Sequence, residues 1–253
     1  MVRAAIPAVV VIVLAFAAAG VAHKGITSKY TYNADVYPVF LNRCGRCHIE
    51  GGVGPMSLLK YEEAFPWAES LRAELLTPTT ADAHDFVKSE HRQISARELD
   101  IVLDWASGGT PEGDPAQRPP ATSLRIDWAS GQPDLIAQMP KPYEMNATAV
   151  ESTHESLLPI PTSTAVTVSR VDLLPGNAAI VRSAVLSLRS PDGTSRMLGT
   201  WVPRQVPVAV AVKPPVRVEP GSRIVARIHY KKNWKDEGES TSDLSLVGLY
   251  FAN

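Results

Sequence analysis

Residues 42–52 read NRCGRCHIEGG, and they contain the only two cysteines in the 253-residue chain. Cys44 and Cys47 stand three residues apart, and His48 follows directly. A pair with this spacing can form a disulfide, half of a zinc site, a redox dithiol or, with the histidine, an attachment point for haem. Two thiols on neighbouring turns can reach two vinyl groups, and the adjacent imidazole can bind the iron from the same side. The haem interpretation therefore uses all three side chains.

The alternatives to haem attachment lack their usual surroundings in the sequence. A zinc site of this type takes a second pair of Cys or His ligands, and no second C-x-x-C occurs. A thioredoxin-like dithiol lies between a strand and a helix, whereas the neighbouring residues here predict helices. A simple disulfide between Cys44 and Cys47 stays open. We predict one covalently bound haem c, attached at Cys44 and Cys47, with His48 as the proximal iron ligand.

The first 22 residues have the order of a secretory signal peptide. Arg3 precedes an apolar run over 4–22 that ends in small residues, as at a cleavage site. The run is also close to the length of a membrane span, so an uncleaved membrane anchor through 4–22 is the alternative. Both interpretations place the rest of the chain in the periplasm or another compartment outside the cytoplasm, where haem is attached to C-x-x-C-H motifs.

The composition excludes several classes of function. Lysine and arginine total 25 against 26 aspartates and glutamates, the sequence pI is about 6.6, and no basic block stands out. Nucleic acid is therefore not an expected partner. Two cysteines cannot form a disulfide-rich scaffold, so each domain needs its own hydrophobic core. No Ser/His/Asp constellation, phosphate-binding glycine loop or paired-carboxylate motif stands out, and we assign no catalytic residue.

Apolar residues at helical spacing predict three helices in the first part of the chain. The first, over 35–43, leads into the cysteine motif. A second amphipathic stretch follows, in which Pro66 is expected to start or kink a turn. The third helix begins at Ser95, which forms an S-x-x-E capping box with Glu98. Together these helices predict a small all-α haem domain over 23–109.

The remainder of the chain has the pattern of a β domain. Residues 110–140 are rich in proline and lack apolar periodicity, which predicts a linker or strap. Beyond them apolar residues recur at every second position, as in 206–212 and 223–230, and the Asp192–Gly193 pair indicates a hairpin. Short strands at this spacing predict an antiparallel β-sandwich or jelly-roll domain over 141–253. The predicted fold class is multidomain α + β.

Stretches on both sides of the linker carry a family resemblance. They are YNADVYPVFLNRCGRCHIEGGVGPMSLLKYEEAFPWAESLR and LDWASGGTPEGDP in the first half, and LLPGNAAIVRSAVL, LGTWVP, RIHYKKNW and LSLVGLYFA in the second. The first half resembles a monohaem class I cytochrome c, which implies that the first and last helices pack together beside the haem. The whole arrangement resembles a cytochrome module fused to a domain related to copper type II, ascorbate-dependent monooxygenases.

The resemblance implies a methionine as sixth iron ligand, from a Met-Pro-Pro-Trp segment after the second helix, and this chain departs from it. Residues 75–95 contain no methionine. His84 and His91 lie in the corresponding stretch, seven residues apart, and a short helix would put both on one face. We predict that one of them is the distal ligand. Met56 is a weaker candidate, better explained by packing at the haem edge, and His23 becomes another if cleavage exposes it.

The resemblance also implies copper held by histidines in the β domain. A His-His pair is expected in the strand after the Pro-Gly-Asn turn, but Arg182 and Ser183 stand there. His229 matches the position of a third histidine, and we interpret it as a vestigial copper ligand. His154 is interpreted as a solvated side chain. Tight copper binding needs several converging nitrogen or sulfur ligands, so copper is not expected.

These features predict an exported c-type cytochrome with one haem that exchanges electrons with a redox partner protein. The β domain would then serve for docking or as a structural module. The alternative is a haem-coupled, copper-dependent oxidoreductase similar to a monooxygenase. The missing copper ligands favour the electron carrier.

Overall fold

The computed structural model describes residues 27–77, 94–120, 127–204 and 206–252, and it joins a few short helices to mostly antiparallel β-sheet. The predicted mixed composition, with helices before strands, is confirmed. The helices are α1 (Tyr37–Arg43), α2 (Tyr61–Ala64), α3 (Ala68–Leu76) and α4 (Ala96–Ser107), with a π-helical turn at Tyr32–Val36 and 3₁₀ turns at Phe65–Trp67, Pro115–Gln117 and Trp234–Asp236.

Two local signals in the sequence set the helix boundaries as predicted. The hydroxyl of Ser95 accepts a hydrogen bond from the Glu98 amide, and the Glu98 carboxylate accepts one from the Ser95 amide at 2.7 Å. This reciprocal capping box satisfies two donors at the start of α4. Pro66 lies in the 3₁₀ turn between α2 and α3, where the fixed φ and missing N–H of proline are tolerated.

Four aromatic rings form the centre of the helical core. Tyr32, Tyr37, Phe40 and Trp105 are almost completely buried, and the Trp105 ring lies 6.1 Å from the rings of both Tyr32 and Phe40. Two of these side chains also form hydrogen bonds: Tyr32 Oη donates to Leu58 O at 2.9 Å, and Trp105 Nε1 donates to Pro111 O at 3.1 Å. The first and last helices of this part therefore pack through one aromatic cluster.

The second part of the described chain consists of two four-stranded sheets and a small strand pair. Its strands are β1 (Leu135–Gln138), β2 (Tyr143–Met145), β3 (Glu151–Pro159), β4 (Val166–Leu174), β5 (Val181–Arg189), β6 (Ser195–Trp201), β7 (Val210–Val218), β8 (Arg223–Lys231), β9 (Thr241–Asp243) and β10 (Leu246–Phe251). One sheet has the order β1-β10-β4-β7, the other β3-β8-β5-β6, and β2 pairs with β9. Every pairing among them is antiparallel.

The two larger sheets bury their inner faces in a single core. On β8 the alternating residues Ile224, Ala226, Ile228 and Tyr230 are at most 1% exposed, as the period-two pattern predicted. They pack in one cluster with side chains from both sheets. Alternation of this kind is what a strand with one buried face requires.

The hairpin predicted at Asp192–Gly193 is present between β5 and β6. The Ser190 amide donates to Thr194 O at 2.9 Å, and Gly193 has φ of +87°. A residue with a side chain is strained in that conformation, so glycine is the natural choice for this position.

β7 differs from the predicted strand at 206–212, because it starts at Val210 and continues to Val218. It lies at the edge of its sheet. Pro214 and Pro215 are exposed in the middle of β7, where its pairing with β4 is interrupted by a bulge. Proline has no N–H to donate, so an edge strand and a bulge are the places where a sheet accepts it.

The boundaries of the predicted linker can be compared with the described residues. β1 lies inside the stretch interpreted as a linker, 110–140, and its Leu135 pairs with Leu249 of β10. The predicted signal peptide or anchor, 1–22, lies outside the described residues. Within the described ranges no helix is long and apolar enough to cross a membrane.

We expect Trp105→Ala to destabilise the protein by about 3–5 kcal/mol, because the change leaves a cavity in the helical core and removes the hydrogen bond from the indole to Pro111 O. Trp234→Ala is the matched control: this tryptophan is 57% exposed, and its loss should change stability by no more than about 0.5 kcal/mol. Urea denaturation of the three proteins checks both values. Equal losses for the two variants would contradict the packing described here.

Candidate functional site

The cysteine motif forms a tight turn at the end of α1. The amides of Cys44 and Gly45 donate to Phe40 O at 2.9 and 2.7 Å, and the amides of Cys47 and His48 donate to Cys44 O at 3.1 and 2.9 Å. The two cysteines are partly exposed and are not joined in a disulfide. Continuous winding from the helix therefore brings both thiols and the imidazole into one short turn.

The ring of His48 is oriented by the loop that follows it, residues 49–57, which we call the motif loop. His48 Nδ1 lies 3.3 Å from the carbonyl oxygen of Met56. A carbonyl can only accept, so this contact assigns the proton to Nδ1 and makes Nε2 the nitrogen suited to bind a metal. Metal-binding histidines commonly have such a backbone partner, which fixes the ring and raises its basicity.

Gly54 allows the motif loop to pass directly over the His48 ring. A Cβ atom at residue 54 would lie 2.7 Å from His48 Nδ1 and 2.9 Å from Cys47 O. Real side chains do not approach so closely, so only glycine fits here. The Gly54 amide donates to Cys47 O at 2.8 Å, and the Leu58 amide donates to His48 O at 3.0 Å. The loop is thus held against the motif on both sides of Met56.

The predicted distal candidates have different positions in the chain. Met56 is 8% exposed, packs in the helical core, and its carbonyl contacts the ring of His48. That contact keeps the Met56 backbone beside the His48 ring. The burial of the Met56 side chain in the helical core agrees with a packing role. His84, His91 and His23 lie outside the described residues.

The residues at this turn fit a covalently attached haem. Two thiols and an imidazole with an engaged Nδ1 are the donor set that haem c uses. Cys44 packs against the aromatic and aliphatic side chains of the helical core, which offers the apolar contact that a porphyrin needs. Haem, when bound, would be held by Cys44, Cys47 and His48.

A cleft between the motif and the β-sheets opens beside Cys47. It encloses about 610 Å³ of empty space, including its mouth. Its lining comes from the motif, the segment before β1 and the ends of β4 and β6, and includes Arg46, Cys47, Val53, Asp127, Asp172, Leu174, Pro175, Val181, Trp201, Pro203, Arg204 and Val208. Most of these side chains are apolar, so the β-sheets present a largely apolar wall to this side of the motif.

Asp172 is the buried acidic group of this cleft. It is 3% exposed and accepts three hydrogen bonds: from the Ala129 amide at 2.8 Å, from the Leu173 amide at 2.9 Å and from Trp201 Nε1 at 3.0 Å. Burial raises the pKa of the Asp172 carboxyl, although these donors and Arg46 act against the rise. Burial lowers the pKa of Arg46, and the charge of Asp172 opposes that change. This carboxylate therefore links the segment before β1 to the cleft wall.

Arg182 joins the β-sheets to the motif loop. Its Nη1 donates to Val53 O at 2.8 Å and to Ala179 O at 3.0 Å, and its Nη2 donates to Asn233 Oδ1 at 2.9 Å. Beyond the loop, Lys235 Nζ lies 3.2 Å from the carboxylate of Glu63 in α2. The residue that replaces an expected histidine thus makes structural contacts between the two parts of the chain.

The histidines of the β-sheets do not converge on one point. His229 Nε2 lies 2.8 Å from Glu151 Oε1, whereas His154 stacks on Tyr143 with ring centroids 4.5 Å apart. His154 pairs in register with Ile228, the neighbour of His229, so the two imidazoles lie on opposite faces of the sheet. In the described part of the chain, no cluster of three or more His, Cys, Asp or Glu side chains is arranged to hold a metal ion.

The motif is recognisable in the sequence, but the contacts around it are not. Asp172, Trp201, Asn233 and Glu63 have no local pattern that indicates their contacts. Arg182 departs from the histidine pattern, and its contact is with Val53, 129 residues away in the chain.

No family model and no curated protein matches this chain.

We expect the unfolding free energy of the wild type to fall relative to that of Asp172→Asn as the pH rises above about 3.9, the ordinary pKa of aspartate. A carboxyl with a raised pKa binds its proton more tightly in the folded state. The resulting stability is complete below the unfolded-state pKa and is lost as the pH rises through the higher folded-state value. Urea denaturation at a series of pH values measures the difference.

Asp192→Asn is the control for this titration. Hydrogen bonds from Thr194 lower the pKa of the exposed Asp192 carboxyl, so its contribution to stability changes with pH in the opposite direction. Parallel pH profiles for the wild type and Asp172→Asn would show that Asp172 does not titrate abnormally.

Proposed function

We propose that the protein is an exported c-type cytochrome that carries one covalent haem and exchanges single electrons with a redox partner protein. The observation that carries the proposal is the C-x-x-C-H turn, in which the His48 Nδ1 contacts the Met56 carbonyl and Nε2 is the nitrogen suited to iron. The apolar run at 4–22 supports export, either as a signal peptide or as a membrane anchor.

Each residue of the motif has a separate task in this proposal. The thiols of Cys44 and Cys47 would hold the haem covalently at the end of α1. His48 would bind the iron, and the Met56 carbonyl keeps the His48 ring in one orientation. Haem supplies one-electron Fe(III)/Fe(II) chemistry, with a potential that depends on the axial ligands and on burial.

The β-sheets have a supporting task in the same proposal. They form the wall of the cleft beside Cys47 and contact the motif loop through Arg182. A jelly-roll or monooxygenase-like origin of this part is a further element of the proposal, based on the resemblance in sequence. Catalytic copper is not part of it, because His154 and His229 lie on opposite sheet faces and His229 contacts Glu151.

The proposal is tested by haem content in cells that mature c-type cytochromes. We expect the wild type to give a haem-stained band on denaturing gels, with about one iron per chain and little copper. Cys44→Ser with Cys47→Ser should abolish the covalent band, and His48→Ala should change the low-spin spectrum. His229→Ala is the control and should keep the wild-type haem content. A colourless wild-type protein, or copper that is lost with His229, would overturn the proposal.

We also propose that His84 or His91 is the sixth iron ligand. The ferric protein should then lack the long-wavelength band that methionine–iron coordination gives, and its potential should be below that of a His/Met cytochrome. His84→Ala with His91→Ala should give high-spin iron, whereas Met56→Leu should stay low-spin. If Met56→Leu becomes high-spin while the double histidine variant does not, methionine is the ligand.

A further inference from the structure

Arg182 is the extra residue of a β-bulge in β5. In the pairing of β5 with β8, Val181 lies opposite Tyr230 and Ser183 lies opposite His229, although residues 229 and 230 are neighbours. Arg182 is therefore left out of the register. Bulges of this kind bend a strand and change the direction of one side chain.

The bulge directs the Arg182 guanidinium to the motif loop. Nη1 donates to Val53 O at 2.8 Å, and Nη2 donates to Asn233 Oδ1 at 2.9 Å. Burial lowers the pKa of Arg182, yet a guanidinium stays charged in proteins, so these are charge-assisted hydrogen bonds. The guanidinium of Arg182 therefore connects β5, the segment after β8 and the motif loop.

Asn233 contacts the carbonyls on both sides of Val53. Its Nδ2 lies 3.5 Å from Gly52 O and 3.4 Å from Gly54 O, while its Oδ1 accepts from Arg182. The two side chains thus contact three successive carbonyl oxygens of a glycine-rich segment. Such a segment has little conformational preference of its own and depends on contacts from elsewhere.

The contacted carbonyls lie next to the partner of the proposed iron ligand. Gly54 passes over the His48 ring, and Met56, two residues further, supplies the carbonyl at 3.3 Å from Nδ1. A shift of residues 52–54 would carry the Met56 carbonyl with it. The Lys235–Glu63 pair nearby is partly exposed to solvent, and such a pair is expected to contribute less.

We infer that Arg182 and Asn233 are positioning residues for the proximal histidine: they hold residues 52–54 so that the Met56 carbonyl stays on His48 Nδ1. This inference rests on the proposed haem function. A histidine with a firm Nδ1–H···O bond is a more basic ligand and stabilises ferric iron. The β-sheets would therefore lower the reduction potential of a haem that they do not coordinate.

The test uses the haem-loaded, full-length protein with the variants Arg182→Lys and Asn233→Ala. Lysine keeps the positive charge but loses the fork, and the asparagine change alters no charge, so neither effect reflects a change in net charge. Arg217→Lys on β7 is the matched control, because its side chain is 70% exposed and forms its salt bridge with Glu219.

We expect the amides of Gly54 and Leu58 to exchange hydrogen about tenfold faster in both variants, since the loop opens more often. Amides of α4 should be unaffected. The midpoint potential should rise in both variants and should match the wild type in Arg217→Lys.

Two results separate this inference from the proposed function. A wild-type protein without covalent haem overturns both. The positioning role alone is overturned if the wild type carries haem but Arg182→Lys and Asn233→Ala leave the measured quantities unchanged. Those quantities are the exchange rates of the Gly54 and Leu58 amides and the midpoint potential. Asn233→Ala is the decisive variant if a change at Arg182 prevents folding.

Discussion

The hydrogen-bond contact between the Met56 carbonyl and His48 Nδ1 lies where the C-x-x-C-H turn, the motif loop and the helical core meet. It closes the motif loop over the C-x-x-C-H turn, and it needs Gly54, since any side chain there would collide with the imidazole. The helical core supports one end of the loop through Met56 and Leu58, and the β-sheets support the middle through Arg182. The position of the Met56 carbonyl beside His48 Nδ1 thus depends on both the helical core and the core between the β-sheets.

The two cores are joined by loops and side chains, and the sheets do not extend the helical core. Each core is filled by its own residues: aromatic rings around Trp105 on one side, and aliphatic side chains of two sheets on the other. Buried polar groups lie between the two cores. They include the carboxylate of Asp172 and the guanidinium of Arg182. Directional hydrogen bonds fix the relative placement there, where apolar packing alone would tolerate sliding.

Local features were predictable from the sequence, and long-range ones were not. The capping box at Ser95, the turn at Asp192–Gly193 and the buried face of β8 depend on residues a few positions apart, and all three are confirmed. The late start of β7 and the position of β1 inside the expected linker depend on pairing with strands that are distant in sequence: β7 pairs with β4, and β1 pairs with β10. The motif itself was recognisable, but the contact between Arg182 and Val53 spans 129 residues and involves a backbone carbonyl that carries no sequence signal.

The bulged, proline-containing edge of β7 has a consequence for how molecules of this protein meet one another. An edge strand offers unused N–H and C=O groups to which a strand of a second chain can add. Pro214 and Pro215 have no N–H to offer, and the bulge bends the backbone away from the straight path that a ladder needs. This edge is therefore a poor template for the addition of a strand from a second copy.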